Sequence, residues 1–173
     1  MFIGYFQNFL FTSMIAIYSC VIYQVHSYYT KNDESISSIL KNTECNKTVF
    51  TCMTLMGVVT LLYELLRCDV YSFLFIFFLL YGIYGVIIYD YTNIIHFFYC
   101  FVVFASILLF MYNHCLKLNH IILYLLLYIQ EILCALIFLE RNIMNCEIYL
   151  LLNFAIFYIY LHFVKDKSKK NVL

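Results

Sequence analysis

Two strongly polar side chains, Gln130 and Glu131, lie side by side within the apolar segment IILYLLLYIQEILCALIFL, residues 121–139. An ionisable group at membrane depth marks a candidate functional site. At a rise of ~1.5 Å per residue, Glu131 and Asn153 of the next apolar segment lie at comparable depths, roughly 12 and 8 Å from the same surface. Burial raises a carboxyl pKa, so we expect a neutral Glu131 to donate a hydrogen bond to Asn153.

This polar group has two interpretations. Glu131 could carry a proton or a cation through the membrane, or it could join two helices by a hydrogen bond of ~0.6–2 kcal/mol. The sequence offers no second acidic residue at the same depth, which favours the structural interpretation.

The segment YDYTNIIHFFYC brings a second pair of reactive types close together, Asp90 and His96. At the membrane surface they could bind a lipid headgroup, a metal ion or each other. A zinc site needs at least three protein ligands, so these two residues alone do not predict one. The alternative is an interfacial turn in which Tyr89, Tyr91 and Tyr99 form an aromatic belt.

The predicted outer loops contain two candidate modification sites, a disulfide between Cys45 and Cys146 and an N-glycan on Asn46. These cysteines fall just before the second and sixth apolar segments, where a disulfide would tie the two segments together. The triplet Asn46-Lys47-Thr48 matches the acceptor pattern for N-glycosylation. The other cysteines fall in apolar segments or in predicted cytosolic turns, where we expect free thiols.

The opposite, predicted cytosolic side carries fewer candidates. Glu64 and Arg67 are three residues apart and can pair on one helix face. His114 and His120 flank a predicted turn, where headgroup contact or solvent exposure is expected. The sequence contains no nucleophile elbow, phosphate loop, HExxH or CxxC motif, and no catalytic residue, metal or cofactor is assigned.

Composition identifies the environment of these groups. Of 173 residues, 65% are hydrophobic and 12% are charged, and the mean hydropathy is +0.90. Soluble domains hold about 45–50% apolar and about 25% charged residues, so the chain is an integral membrane protein. Its net charge is zero, which gives no basic field for nucleic acid. The bias towards Phe, Ile, Tyr, Asn and Lys is typical of AT-rich coding sequences, as in some viruses and parasites.

The apolar residues form six blocks near the ~20 residues that a spanning helix needs. Backbone groups cannot remain unpaired in lipid, so we predict an all-α bundle of six transmembrane helices in one domain, residues 1–164. A longer outer loop, residues 24–48, follows the first helix, and a basic tail, residues 165–173, ends the chain. The first block has no preceding Lys or Arg and exceeds signal-peptide length, so we expect it to be retained. The predicted spans are 2–23, 49–66, 70–88, 94–112, 121–139 and 148–164.

Lysines near the helix ends predict the orientation. The tail VKDKSKKNVL carries four of them, and with six spans the amino terminus lies on the same side. We therefore expect both termini in the cytosol. The identity of the membrane does not follow from the residues.

In layout, the chain resembles the Frag1/DRAM/Sfk1 family of six-helix membrane proteins, which have cytosolic termini and one longer first outer loop. The resemblance rests on Ile36, Ser37 and Glu44 in ESISSILKNTECNKTVF, and on Asp90 with His96 around the turn into the fourth helix. Thr43 stands where the family frequently has Pro. The resemblance implies roles in lipid- or GPI-anchor-related trafficking, or in autophagy and lysosomal membranes.

Three functions therefore remain open. The first is a non-enzymatic protein that organises or senses lipids or partner proteins through its outer loop. The second is a small oligomeric ion or proton transporter that uses Glu131. The third is a lipid-modifying enzyme that uses Asp90 and His96. The expected partners are the bilayer, specific lipids, other membrane proteins or further copies of the chain.

Overall fold

A computed structural model describes residues 2–31, 35–90, 92–137, 139 and 143–170, with side chains for all of these except residues 2, 3 and 165–170. These residues form helices and no strand, which confirms the predicted all-α class. In chain order the helices are α1 (Phe2–Ser27), α2 (Ile36–Ile39), α3 (Thr43–Arg67), α4 (Val70–Ile88), α5 (Ile94–Leu118), α6 (Ile121–Ile137) and α7 (Met144–Lys170).

Five of these helices, α1, α3, α4, α5 and α7, are long and apolar enough to cross a membrane. Between 17% and 39% of each apolar window is buried within the protein, so most of the apolar surface faces outwards, as a bilayer requires. The chain is therefore a multi-pass α-helical membrane protein. The remaining apolar helix, α6, is shorter, with 17 residues.

Several helices extend beyond the apolar blocks. The bounds of α4 coincide with the predicted span, whereas α3 begins at Thr43 instead of residue 49 and α5 continues to Leu118 instead of residue 112. The predicted outer loop, residues 24–48, is consequently reduced by the last turn of α1, by α2 and by the first turn of α3. The backbone of the predicted tail is helical up to Lys170, and the side chains of this tail lie outside the described residues.

The chain forms two compact units, residues 1–106 and 107–173, and α5 contributes one half to each. In the first unit, α1 packs against α3 and α3 against α4. The buried face of α3 repeats every three or four residues, the spacing of one helix face. Its members are Cys45, Val49, Met53, Gly57, Thr60, Tyr63 and Glu64. The single domain predicted over residues 1–164 stays a prediction.

Two glycines let α4 approach the first half of α5 closely. A Cβ atom at Gly85 would lie 2.0 Å from the Tyr99 ring, and one at Gly82 would lie 2.8 Å from the Val103 side chain. A larger residue at either position would force its neighbour to move. The close packing of α4 on α5 therefore requires glycine at both positions.

In the second unit, α6 packs against α7. The second half of α5 supplies a stripe of buried residues, which includes Phe110, Met111 and His114, each 0% exposed. The Phe110 ring stacks on Tyr158 with centroids 5.5 Å apart and meets the Phe157 ring edge-on. Aromatic packing thus joins α5 to α7 within this unit.

The predicted pairing of Glu64 with Arg67 is confirmed. Arg67 Nη1 lies 2.9 Å from Glu64 Oε1, and the two side chains are 3% and 0% exposed. The guanidinium also lies over the Tyr63 ring, 5.4 Å from its centroid. Removal of one partner from such a buried pair costs about 3–5 kcal/mol, because it leaves the other charge buried and uncompensated.

Candidate functional site

A polar cluster in the first unit surrounds residues 35–42, which we call the α2 segment. His96, near the start of α5, is 3% exposed and reaches both the α2 segment and the end of α4. Its Nδ1 lies 3.0 Å from the carbonyl oxygen of Tyr89, and its Nε2 lies 3.1 Å from Ser37 Oγ. A carbonyl only accepts, so Nδ1 carries the proton, and in the neutral ring Nε2 accepts from the Ser37 hydroxyl.

Asn46 forms a second connection between the same elements. Its Nδ2 donates to the carbonyl oxygens of Leu40 in the α2 segment and Ile87 in α4, both at 3.0 Å. The last four carbonyls of a helix have no partner within it, and Asn46 satisfies one of them at the end of α4. A glycan attached to Nδ2 would remove one of the two donated protons. The predicted glycosylation of Asn46 and this bracing are therefore mutually exclusive.

A third connection ties the end of α1 to the start of α3. The Tyr28 hydroxyl donates to Glu44 Oε2 at 3.2 Å. The carboxylate accepts this proton and would repel a phenolate, so it raises the pKa of Tyr28 above its ordinary value. Asn42 begins α3 as its N-cap, since its side chain accepts from the backbone N–H groups of Glu44 and Cys45.

Asp90 lies in the turn between α4 and α5 and is exposed. Its Oδ1 accepts from the backbone N–H and the hydroxyl of Thr92, at 3.0 and 3.1 Å. These two bonds, helped by the nearby positive charge of Lys41, hold the pKa of Asp90 below its ordinary value. These bonds fix the orientation of the Asp90 carboxylate. The sequence had left open a contact between Asp90 and His96, but the hydrogen-bond partner of Asp90 in the structure is Thr92.

A small cleft of about 180 Å³ opens between the α2 segment, the start of α3 and the end of α4. Its charged groups are Lys41 and Asp90. We call it the α2 cleft, and it is lined by Ser37, Leu40, Lys41, Asn46, Val86, Ile87, Ile88, Tyr89 and Asp90. Tyr89 and Tyr99 stack with centroids 5.5 Å apart. Tyr91 lies outside the described residues, and the aromatic belt stays a prediction.

In the second unit, the predicted polar contact between α6 and α7 is present, but a different residue of α6 makes it. Asn153 Nδ2 donates to Gln130 Oε1 at 2.6 Å and to the carbonyl oxygen of Leu126 at 2.9 Å. Gln130 is fully buried, whereas Glu131 is exposed. The predicted Glu131–Asn153 bond is thus replaced by one from Asn153 to Gln130, because neighbouring residues on a helix point about 100° apart and only Gln130 faces α7.

Two histidines are more enclosed than the sequence suggested. His114 was expected at a surface turn, but α5 continues past it and the ring is 0% exposed, 4.6 Å from the Phe110 ring centroid. His120 follows α5 and lies 3.3 Å from the Tyr160 hydroxyl. Cys115, assigned to the same turn, is also fully buried.

Cys45 and Cys146 are both free thiols, one in each compact unit, and the disulfide between them stays a prediction. Each belongs to the first turn of a helix, Cys45 in α3 and Cys146 in α7. Cys45 is fully buried and acts as a small core residue.

No three His, Cys, Asp or Glu side chains converge on a metal-binding geometry within the described part of the chain. Comparisons with models of known protein families, with curated proteins and with solved structures found no match to this chain. The candidate functional regions are therefore the α2 segment and the polar residues of α6.

Sequence reasoning had named Asp90, His96 and Asn46, but it had missed how they are used. It assigned no role to Lys41, and it considered Asn46 only as a glycosylation acceptor. The bond between Ser37 and His96 joins residues 59 positions apart, and nothing in the local pattern of either segment indicates it.

Proposed function

We propose that this protein is a non-enzymatic, multi-pass membrane protein that organises or senses lipids or partner proteins through the α2 segment. The observation that carries this proposal is the His96 bridge between Ser37 and Tyr89. A short connecting segment with no function can remain loosely attached, whereas this one is fixed to α4 and α5 by a buried side chain and to α3 by Asn46. A fixed polar surface at the end of apolar helices suits recognition of headgroups or protein loops.

The proposal includes six spans with both termini in the cytosol. At ~1.5 Å per residue, the 17 residues of α6 extend about 26 Å, close to the ~30 Å hydrocarbon core and within the range of known spans. The lysine-rich tail supports the cytosolic assignment by the distribution of positive charge. The α2 segment then lies on the outer or lumenal face.

The resemblance to the Frag1/DRAM/Sfk1 family is part of the same proposal. Three of the residues that carry it have defined contacts at this end of the first unit. Ser37 bonds to His96, and Asp90 lines the α2 cleft. These contacts support a shared use of this surface, and a trafficking or autophagy role would follow from membership.

Photocrosslinking tests the proposal. A photoreactive phenylalanine analogue at Thr43, an exposed residue beside the α2 segment, is compared with the same probe at Tyr71, which is 63% exposed at the start of α4. We expect a discrete lipid or protein adduct at position 43, reduced by His96→Ala in a protein that remains folded. Equal adducts at both positions, or no effect of His96→Ala, would contradict a role for the α2 segment.

A second candidate function, an oligomeric ion or proton transporter, has one observation in its favour. Glu131 is exposed on α6, while Gln130 makes the interhelical bond that Glu131 was expected to make. A carboxyl group in the middle of a span is costly unless it faces a partner or a water-filled path. Proteoliposomes under a pH gradient should then conduct protons, and Glu131→Gln should abolish the flux. A wild-type protein that is folded but conducts no ions would exclude this candidate.

A further inference from the structure

The α2 cleft brings two opposite charges next to the end of α4. Lys41 and Asp90 provide the charges, and Val86, Ile87 and Ile88 from the last turn of α4 are among the residues that line it. The cleft lies where a helix apolar enough to cross the membrane ends. At this level a bilayer presents its headgroups.

The polar side of the cleft is held in place before any ligand arrives. Asn46 fixes the carbonyl groups of Leu40 and Ile87, and Thr92 orients the carboxylate of Asp90. The carboxylate of Asp90, whose pKa the hydrogen bonds from Thr92 lower from its ordinary value, is ionised at neutral pH. Binding to a preorganised site loses less conformational entropy than binding to mobile side chains.

We propose that the α2 cleft holds the headgroup of a zwitterionic phospholipid, with the phosphate at Lys41 and the ammonium group at Asp90. This inference rests on the proposed function and specifies its ligand class. A purely anionic headgroup would be attracted to Lys41 but repelled by the negative charge of Asp90, whereas a zwitterion matches both charges. The cleft, at about 180 Å³, is smaller than the ~300–1,000 Å³ of typical ligand pockets, so it admits a headgroup and leaves the acyl chains outside.

The exposed surface of α4 offers a path for those chains. Ile88, 63% exposed, lies at the cleft, and Tyr81 and Phe77, each 49% exposed, lie further along the same helix. A lipid anchored at the cleft can therefore keep its tails in the bilayer. This continuity favours a membrane lipid over a soluble zwitterion such as an amino acid.

Native mass spectrometry of the detergent-purified protein tests the assignment. The protein is offered equimolar phosphatidylcholine, phosphatidylethanolamine and phosphatidylglycerol of matched chain length. We expect the wild-type protein to retain the two zwitterionic lipids over phosphatidylglycerol by about fivefold, the factor that corresponds to ~1 kcal/mol per charge. Inorganic phosphate in millimolar excess should not displace them.

Two variants test the contributions of the two charges to lipid binding one at a time, and a third serves as the control. Asp90→Asn keeps an oxygen that can accept from Thr92 but removes the charge, so it should abolish the preference for zwitterions and leave phosphatidylglycerol binding unchanged or stronger. Lys41→Gln should weaken all three lipids. Lys47→Gln, an exposed lysine outside the cleft, should change nothing.

Two results would overturn the assignment. Lipid retention unchanged in the Lys41→Gln/Asp90→Asn double variant would mean that the bound lipid contacts neither of these two charges. Displacement of the lipids by inorganic phosphate would identify a free-phosphate site. The crosslink at Thr43 separates this failure from failure of the proposed function: if the adduct persists in the double variant, the α2 segment is still a contact surface and only the headgroup assignment is lost.

Discussion

A difference of one position along a helix decides whether a polar side chain in this protein is buried in a helix contact or exposed at the surface. Gln130 and Glu131 are adjacent in sequence, yet the first is buried against α7 and the second is exposed. Asn153 uses one amide nitrogen to reach both Gln130 and a backbone carbonyl. The structural role therefore belongs to Gln130, and the ionisable group is left on the outer face of α6.

A double-mutant cycle on Gln130 and Asn153 measures this contact. Asn153→Leu should destabilise the protein, because it leaves the buried Gln130 Oε1 without its hydrogen-bond donor. We expect a coupling of about 0.6–2 kcal/mol with Gln130→Met. Reversible unfolding in mixed detergent provides the free energies. Glu131→Gln is the control and should stay within about 0.5 kcal/mol of wild type. A loss in Glu131→Gln as large as that in Asn153→Leu would refute the assigned roles.

The glycines of α4 give a second test at residue scale. Gly85→Ala would place a methyl group 2.0 Å from the base of the Tyr99 ring, so overpacking should destabilise the protein by about 1–3 kcal/mol. Gly4→Ala is the matched control, because a Cβ atom there has no neighbour within 4 Å. The control should be neutral or slightly stabilising, since Ala favours a helix over Gly. Thermal unfolding of both variants in the same detergent distinguishes steric conflict from helix propensity.

At the scale of elements, the connection between α3 and α4 is unusually short. Cys68 ends α3 with a left-handed backbone, φ 54°, and Asp69 begins α4 as its N-cap. A left-handed conformation costs a residue with a side chain roughly 1–2 kcal/mol relative to its preferred region. Glycine is the residue that helices most often place at such an end.

Cys68→Gly should therefore stabilise the protein by about 1 kcal/mol. Cys68→Ala is the appropriate control, because it removes the same weak Sγ contact to the Leu65 carbonyl but keeps the Cβ atom. A rise in the unfolding midpoint for Gly and not for Ala would show that the backbone conformation, and not the thiol, limits this turn. Equal midpoints would contradict the prediction.

The elements also show what the sequence could and could not predict. Hydrophobic blocks located all the long apolar helices, because lipid burial depends on local composition. The ends of α3 and α5 were missed, because the polar residues near Thr43 and His114 continue a helix beyond the apolar block. The burial of His96 and the role of Asn46 depend on contacts distant in sequence, which no local pattern encodes.

At the scale of the whole molecule, the number of crossings determines what the α2 segment can meet. With α6 as a span, the tail and the turn near Lys117 lie on one side and the α2 segment on the other. If α6 does not cross, α7 reverses its direction and the tail joins the side of the α2 segment. The shortness of α6 makes this alternative worth a direct measurement.

Single cysteines in a background without native cysteines give that measurement, using a membrane-impermeant maleimide on sealed cells. We expect Lys41→Cys to be labelled from outside, and Lys117→Cys and Ser168→Cys to be labelled only after permeabilisation. This result is expected if the chain crosses the membrane six times and the lysine-rich tail lies on the cytosolic side, as the distribution of positive charge predicts. Labelling of Ser168→Cys together with Lys41→Cys would establish five crossings. Inverse labelling of all three positions would retain six spans but turn the α2 segment towards the cytosol, where its ligands would be those of the inner leaflet.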